Sequence, residues 1–225
     1  MNARHLFIVA AAAVAVAAPV ASAATLTGTD SPDLLRGTNT ADTITAMGGN
    51  DLVLAFHGPD VVDAGAGDDA VFAGFGADTV FAGRGNDMVE AGPGRDVALG
   101  QAGNDVVTGG FGDDVLSGGT GDDRVIGGPG NDTLFAGMGA DILLGGRGAD
   151  VLLSRAMDNT PDVLVCGPGR DLAIARPEDL VDPSCERVIR LAATNASSDP
   201  GDESAAPAAQ AAPSGAPVST GTTEQ

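Results

Sequence analysis

Gly109-Gly110-Phe111-Gly112-Asp113-Asp114-Val115-Leu116-Ser117 runs without a gap into Gly118-Gly119-Thr120-Gly121-Asp122-Asp123-Arg124-Val125-Ile126 and then Gly127-Gly128-Pro129-Gly130-Asn131-Asp132-Thr133-Leu134-Phe135. Outward from these three copies the nine-residue unit continues in both directions. It gives fourteen copies from Gly28 to Leu153 with no residue inserted or deleted. The sixth residue is always Asp, from Asp33 and Asp42 to Asp141 and Asp150. The eighth is always aliphatic, from Leu35 and Ile44 to Leu143 and Leu152. From the third unit on, the fourth is always Gly, from Gly49 to Gly148. Such a period outranks local propensity, because one unit is a single structural piece that must stack on its neighbours to bury anything.

Each position has a physical meaning. Six residues rich in Gly and Asp predict a tight turn, since Gly takes positive φ without a Cβ penalty. The last three residues, such as Val106-Val107-Thr108, predict a short strand whose middle residue faces one way and whose outer two face the other. Two units then make one coil with a strand on each side, and the eighth residues meet in a thin core. The ninth residues stack outward: Phe81 with Leu99 and Phe135 with Leu153 in one sheet, Leu54 with Phe72 and Ile126 with Leu144 in the other. These stripes are ordinary cross-strand ladders or an interaction patch, and the residues alone leave both open.

One Asp per turn at a strand spacing of about 4.8 Å makes two columns of like charges, which repel unless something screens them. A hard divalent cation resolves this. Calcium takes six to eight oxygen ligands, and the carbonyls of a Gly-rich turn plus an Asp carboxylate are the right kind.

The unit G-G-x-G-x-D-x-U-x resembles the calcium-binding nonapeptide of RTX (repeats-in-toxin) proteins. The resemblance covers Gly28 to Leu153 and returns at Cys166–Ile174. It implies an all-β fold, a right-handed parallel β-roll, with Ca2+ held between a turn and the turn two units later. The implied carboxylate ligands are Asp51, Asp60, Asp69, Asp78, Asp87, Asp96, Asp105, Asp114, Asp123, Asp132, Asp141 and Asp150. The implied carbonyls come from Gly65, Gly67, Gly83, Gly85, Gly103, Gly110, Gly112, Gly119, Gly121, Gly128, Gly130, Gly146 and Gly148. Pairs such as Asp69 with Asp87, Asp105 with Asp123 and Asp114 with Asp132 would share an ion. Asp33, Asp42, Asp162 and Asp171 are expected to be weaker sites.

The chain departs from the pattern in places. The first two turns lack the fourth-position Gly and read as a capping region. Met47, Phe56 and Gln101 replace the second Gly, and the turn from Ala55 to Asp60 is the poorest of the interior. Residues 1–23 read as a cleaved secretory signal, with Arg4, the apolar run Leu6–Ala18 and the small-residue site Ala21-Ser22-Ala23. Residues 24–174 are the roll. A three-residue insertion, Ser154-Arg155-Ala156, precedes an irregular unit, Met157–Val165, and a good one, Cys166–Ile174. Residues 175–191 read as a terminal cap in which Arg187–Arg190 could be a last strand. Residues 192–225 are rich in Ala, Pro, Ser and Thr without aliphatic periodicity, which is the composition of a disordered tail.

A formal charge of −20 from 31 acidic residues against 11 basic ones excludes nucleic acid or an acidic membrane as a charge-driven partner. Calcium is the expected partner, and the outer stripes leave room for a protein or cell-surface one. No membrane span is expected. An enzyme is not expected: beyond residue 23 the chain has one His, His57, in a turn with no nucleophile motif beside it, and no room remains for a catalytic domain. The reading is a secreted calcium-binding protein, with a cell-surface adhesion protein as the alternative. The two cysteines, Cys166 and Cys185, are nineteen residues apart. With an eighteen-residue coil, residue 184 lies beneath Cys166, which brings the pair to a Cα separation of about 6 Å and predicts a disulfide tying the cap to the last good coil.

Overall fold

The structure is a computed structural model, and it describes residues 14–16, 23–154, 158 and 160–192. It is a parallel β-roll of two ten-stranded sheets. One sheet holds the odd strands: β1 (Val14–Val16), β3 (Leu34–Arg36), β5 (Leu52–Leu54), β7 (Ala70–Phe72), β9 (Met88–Pro93), β11 (Val106–Phe111), β13 (Arg124–Pro129), β15 (Ile142–Arg147), β17 (Val163–Val165) and β19 (Leu180–Val181). The other holds the even strands: β2 (Thr25–Thr27), β4 (Thr43–Thr45), β6 (Val61–Ala66), β8 (Thr79–Arg84), β10 (Val97–Ala102), β12 (Val115–Thr120), β14 (Thr133–Met138), β16 (Val151–Leu153), β18 (Leu172–Ala175) and β20 (Arg187–Arg190). Every pairing is parallel.

The coil length is the expected one. Val107 faces Val125, and Leu116 faces Leu134, eighteen residues on. After Ser154 the register becomes Leu143 to Leu164, a step of 21 that absorbs the three-residue insertion without losing phase. The roll then runs on through the segment read as a cap. β19 and β20 pair with β17 and β18, so Arg187–Arg190 is indeed a last strand. Of the leader, only β1, paired with β3, and Ala23 are described; the rest of it and the tail from residue 193 on lie outside the described residues.

Two expectations need correction. The turn is shorter than six residues, because most central strands run six residues, into the third position of the next unit. Gly is a poor strand former alone, but a Gly stacked between Gly residues of the coils before and after gains the ladder hydrogen bonds regardless. Alternation then turns the first position inward as well as the eighth. The core is therefore not the eighth positions alone: Ala46, Ala55, Ala64, Ala73, Ala82, Ala91 and Ala136 are as buried as Val53 or Leu134. The two inward positions often trade volume. Val with Ala fills coils such as Val62 and Ala64, while Leu with Gly fills Leu116 and Gly118, where a Cβ on the Gly would collide with the Asp123 carboxylate.

The outward ladders form as expected, Phe81 against Leu99, Phe135 against Leu153, Leu54 against Phe72 and Ile126 against Leu144, and all eight side chains are only half-buried. Two of the more exposed apolar groups, Phe75 and Phe111, lie at third positions along one turn edge. There His57 stacks on Phe75 with ring centroids 4.9 Å apart, Pro93 and Phe111 follow in register, and Phe111 is 66% exposed. No helix among the described residues is long and apolar enough to cross a membrane.

The disulfide Cys166–Cys185 is present, with a Cα separation of 5.0 Å and both residues buried. It forms in a register different from the expected one. Leu164 faces Val181, a step of seventeen, and the bend at Asp182–Ser184 brings Cys185 back to Cys166.

The second position of each turn carries strain where it is not Gly. Met47, Phe56 and Gln101 have φ of 79°, 79° and 78°, against 117° for Gly83 and 113° for Gly110. A left-handed conformation costs an L-residue about 1–2 kcal/mol, and glycine's greater unfolded-state freedom returns part of that. Gln101→Gly should therefore stabilise the calcium-loaded chain by about 0.5–1 kcal/mol. A denaturant melt in calcium reads this, and an unchanged or lower midpoint would contradict the strain.

Candidate metal centre

All the repeat aspartates at the sixth position are buried, none more than 6% exposed. From Asp51 on they stay there because each carboxylate closes a ladder. Its Oδ1 accepts the backbone N–H of the Asp one coil earlier: Asp69 N–H donates to Asp87 Oδ1 at 2.8 Å, Asp105 N–H to Asp123 at 2.7 Å and Asp114 N–H to Asp132 at 2.9 Å. The three pairs expected to share an ion are thus brought together, and the same bond recurs along both turn edges from Asp33 to Asp171.

The ladder ends are residues that the nonapeptide pattern missed. Asp162 N–H donates to Asp179 Oδ1 at 3.0 Å, and Asp171 N–H to Glu186 Oε2 at 2.7 Å. Asp179-Leu180-Val181 and Glu186-Arg187-Val188 keep an acid two residues before an aliphatic one, which is the surviving signal once the glycines are gone.

The second carboxylate oxygen is different. In thirteen of these residues, Asp51 to Asp150 and Asp171, Oδ2 is buried and has no hydrogen-bond partner. An unmade bond at a buried charged oxygen is costly. The surrounding atoms are oxygens too. The Oδ2 of Asp114 and the carbonyl of Gly127 both crowd the face of Gly109, and the carbonyl of Gly85 fills the space that a Cβ on Gly103 would take. The second carbonyl relation explains the glycines at the fourth position: any other residue would strike the coil before it. Among the described residues no three acidic, His or Cys side chains converge. A cation here would draw its ligands from one or two carboxylates and from backbone carbonyls, an all-oxygen set of the kind calcium takes.

The electrostatics point the same way. Burial pushes the carboxyls of Asp60, Asp69, Asp96, Asp123 and Asp132 up to about 7 and that of Asp141 up to about 8. The backbone N–H bonds pull the other way, and neighbouring aspartates add repulsion. Asp51, Asp78, Asp87 and Asp114 are raised by burial as well. The fifth position is the opposite case. Asp113 is exposed, and the N–H of Asn131 and the Arg95 guanidinium hold its carboxyl below the ordinary range.

The first two turns and the irregular unit satisfy themselves. Thr29 donates its N–H to Asp33 Oδ2 at 2.6 Å and its hydroxyl at 3.0 Å; Thr38 does the same for Asp42. Ser154 Oγ lies 2.6 Å from both Asp162 Oδ2 and Asp179 Oδ2, and Arg176 N–H also reaches Asp179. Asp171, grouped with them on the sequence, instead has a free Oδ2 like the interior residues. The poor turn from Ala55 to Asp60 also has the interior geometry, since Asp60 Oδ2 is free and its Oδ1 accepts Asp42 N–H at 2.7 Å.

These shifts fix the sign of a pH effect. A carboxyl whose folded value is raised from 3.8 to about 7 binds its proton more tightly in the fold than in the unfolded chain. Without metal, the fold is then favoured below about pH 4 and loses stability as pH rises through 6 to 8. In chelator, circular dichroism should show β-structure growing as pH falls from 8 to 5. A spectrum that does not change over that range would contradict the burial of uncompensated carboxylates.

A model of the RTX calcium-binding nonapeptide repeat matches residues 25–55, 58–89, 81–116, 90–125 and 117–152. The comparison with curated proteins finds no match. The matched segments cover more than half of the 225 residues and coincide with the stacked turns and their buried aspartates, so the chain belongs to the RTX family of calcium-binding nonapeptide repeat proteins.

Proposed function

We propose that this is a secreted calcium-binding protein that folds on taking up several calcium ions between stacked turns. The observation that carries it is the run of thirteen buried carboxylate oxygens without a partner. When bound, calcium supplies the positive charge that lets buried carboxylates stay ionised at neutral pH. The chain supplies the rest. The sixth-position carboxylates are held by their Oδ1 bonds, the turn glycines let carbonyls of successive coils approach, and the two-residue-wide core is too thin to carry the repulsion alone. Binding energy then serves as folding energy.

Export fits the same scheme. The leader-like residues 1–23 and the Cys166–Cys185 bond suit an oxidising compartment. An affinity in the extracellular range, on the order of 10⁻⁴ to 10⁻³ M, keeps the chain unfolded where calcium is scarce and folds it outside. The role is binding and structural, without catalysis. A second reading, a cell-surface adhesion protein, rests on the row His57, Phe75, Pro93 and Phe111, in which both Phe rings are exposed. Fractionation separates the two: free protein in the medium favours the first, and firm cell-wall association the second.

Two measurements test the main reading. In chelator at neutral pH the chain should give a disordered spectrum, and millimolar calcium should restore β-structure; a β-spectrum indifferent to chelator would end the proposal. Asp123→Ala removes an oxygen that holds Asp105 and a ladder partner of Asp141. It should cost about 2 kcal/mol or more in calcium and lower the melting temperature further than Asp113→Ala, whose carboxylate faces water. Equal effects would refute the assignment of the sixth position.

A further inference from the structure

Sixth-position aspartates divide without exception according to the backbone four residues before them. The thirteen with a free buried Oδ2 are those whose turn has its second residue at positive φ, from Met47 with Asp51 and Phe56 with Asp60 through Gly83 with Asp87 to Gly167 with Asp171. Gln101 obeys the rule although it is not Gly. In the first two turns the second residues are Thr29 and Thr38, which are not among the non-glycine residues at positive φ. Their N–H groups turn onto the carboxylate of their own turn, and their hydroxyls add a second bond.

The geometry points to a selection rule: the φ of the second residue decides whether a turn takes a cation. A left-handed second residue carries its N–H away and leaves Oδ2 free for a metal. A Thr without positive φ satisfies Oδ2 from within the turn and closes it to metal. Ser154 plays a related part at the other end of the roll, where its one hydroxyl proton serves Asp162 or Asp179 and the Arg176 N–H also serves Asp179. The hydroxyls of Thr29, Thr38 and Ser154 thus stand where the interior turns need a cation. Calcium is confined to the turns between them, together with the turn of Asp171, and the identity of the residue matters less than its backbone: the turns with Met47, Phe56 and Gln101 bind although they lack the second Gly. This rests on the calcium reading given above.

The test is a count of bound calcium on the full chain by equilibrium dialysis. Thr38→Gly with Thr40→Gly converts Gly37–Asp42 to the pattern of Gly145–Asp150 apart from the third residue. It should raise the number bound by about one. Thr38→Val removes the hydroxyl without supplying glycine's freedom. It should leave the number unchanged while raising the calcium concentration at the midpoint of folding. A double variant that gains β-structure in calcium like the parent but binds no additional ion overturns the rule. So does a Thr38→Val chain with the parent's midpoint. A parent chain that binds no calcium at all overturns instead the functional reading on which the rule rests.

Discussion

The structure depends on one repeated bond, the backbone N–H of an Asp donating to the carboxylate of the Asp eighteen residues later. It solves a problem that stacking creates. A parallel roll has strands only where the chain is straight, and at each corner the backbone N–H of the sixth residue would be buried without a partner. A carboxylate from the next coil satisfies it at 2.7–2.9 Å along most of both edges. The bond also forces the carboxylate indoors. That placement fixes coil-to-coil register together with the core, since a slip of one residue would turn the inward Val, Leu and Ala out and break the carboxylate bond at once. It also creates the surplus negative oxygen that makes the fold depend on something positive. Register and cation demand are two consequences of one hydrogen bond.

The two positions flanking this bond divide the labour. The fifth residue forms a second, exposed ladder running the opposite way: Asp68 Oδ1 accepts the N–H of Asn86, and Asn86 Oδ1 that of Asn104, both one coil later. Asn serves there as well as Asp because only an acceptor is required, and water completes the rest. At the sixth position only Asp occurs across all fourteen units. An amide would supply the acceptor for the ladder but not the charge on the second oxygen. The contrast between a fifth position that takes Asn, Asp, Ala, Pro or Arg and an invariant Asp at the sixth therefore separates an optional hydrogen bond from a charge requirement within a single turn.

Much of this was legible in the sequence, and what was not has a common cause. The period, the eighteen-residue coil, the inward eighth position and the three-residue insertion after Leu153 all follow from residue spacing, and spacing is what a sequence records. The six-residue strands do not. Residues such as Gly118-Gly119-Thr120 look like turn on propensity and become strand only because the coils above and below present the same glycines. The inward Ala of the first position was hidden for the same reason. Asp179 and Glu186 escaped because the glycines that mark a turn are missing beside them, although each accepts the same ladder bond as an interior Asp. Nothing in Thr29, Thr38 or Ser154 read as a sequence reveals that their hydroxyls meet carboxylates. That is a fact of three-dimensional approach.

The ends of the roll show why it stops growing. A solenoid that satisfied its last coil by metal would need another coil to supply the opposite carbonyls, and so on without limit. The chain breaks the series by changing chemistry. At the start, Thr takes over from Gly, and the turn closes on itself. At the finish, Ser154 sits between two carboxylates, Arg190 donates to the carbonyls of Arg176 and Asp179, and the Cys166–Cys185 bond pins the bend that carries the final strand. Each of these groups supplies a bond that an interior turn would seek from a neighbour or a cation, and at this end only the turn of Asp171 keeps a free Oδ2. β20 is left with Val188 and Ile189 partly exposed between Arg187 and Arg190. Antiparallel pairing with a second copy would set each Arg opposite the other, which discourages the edge from recruiting another chain.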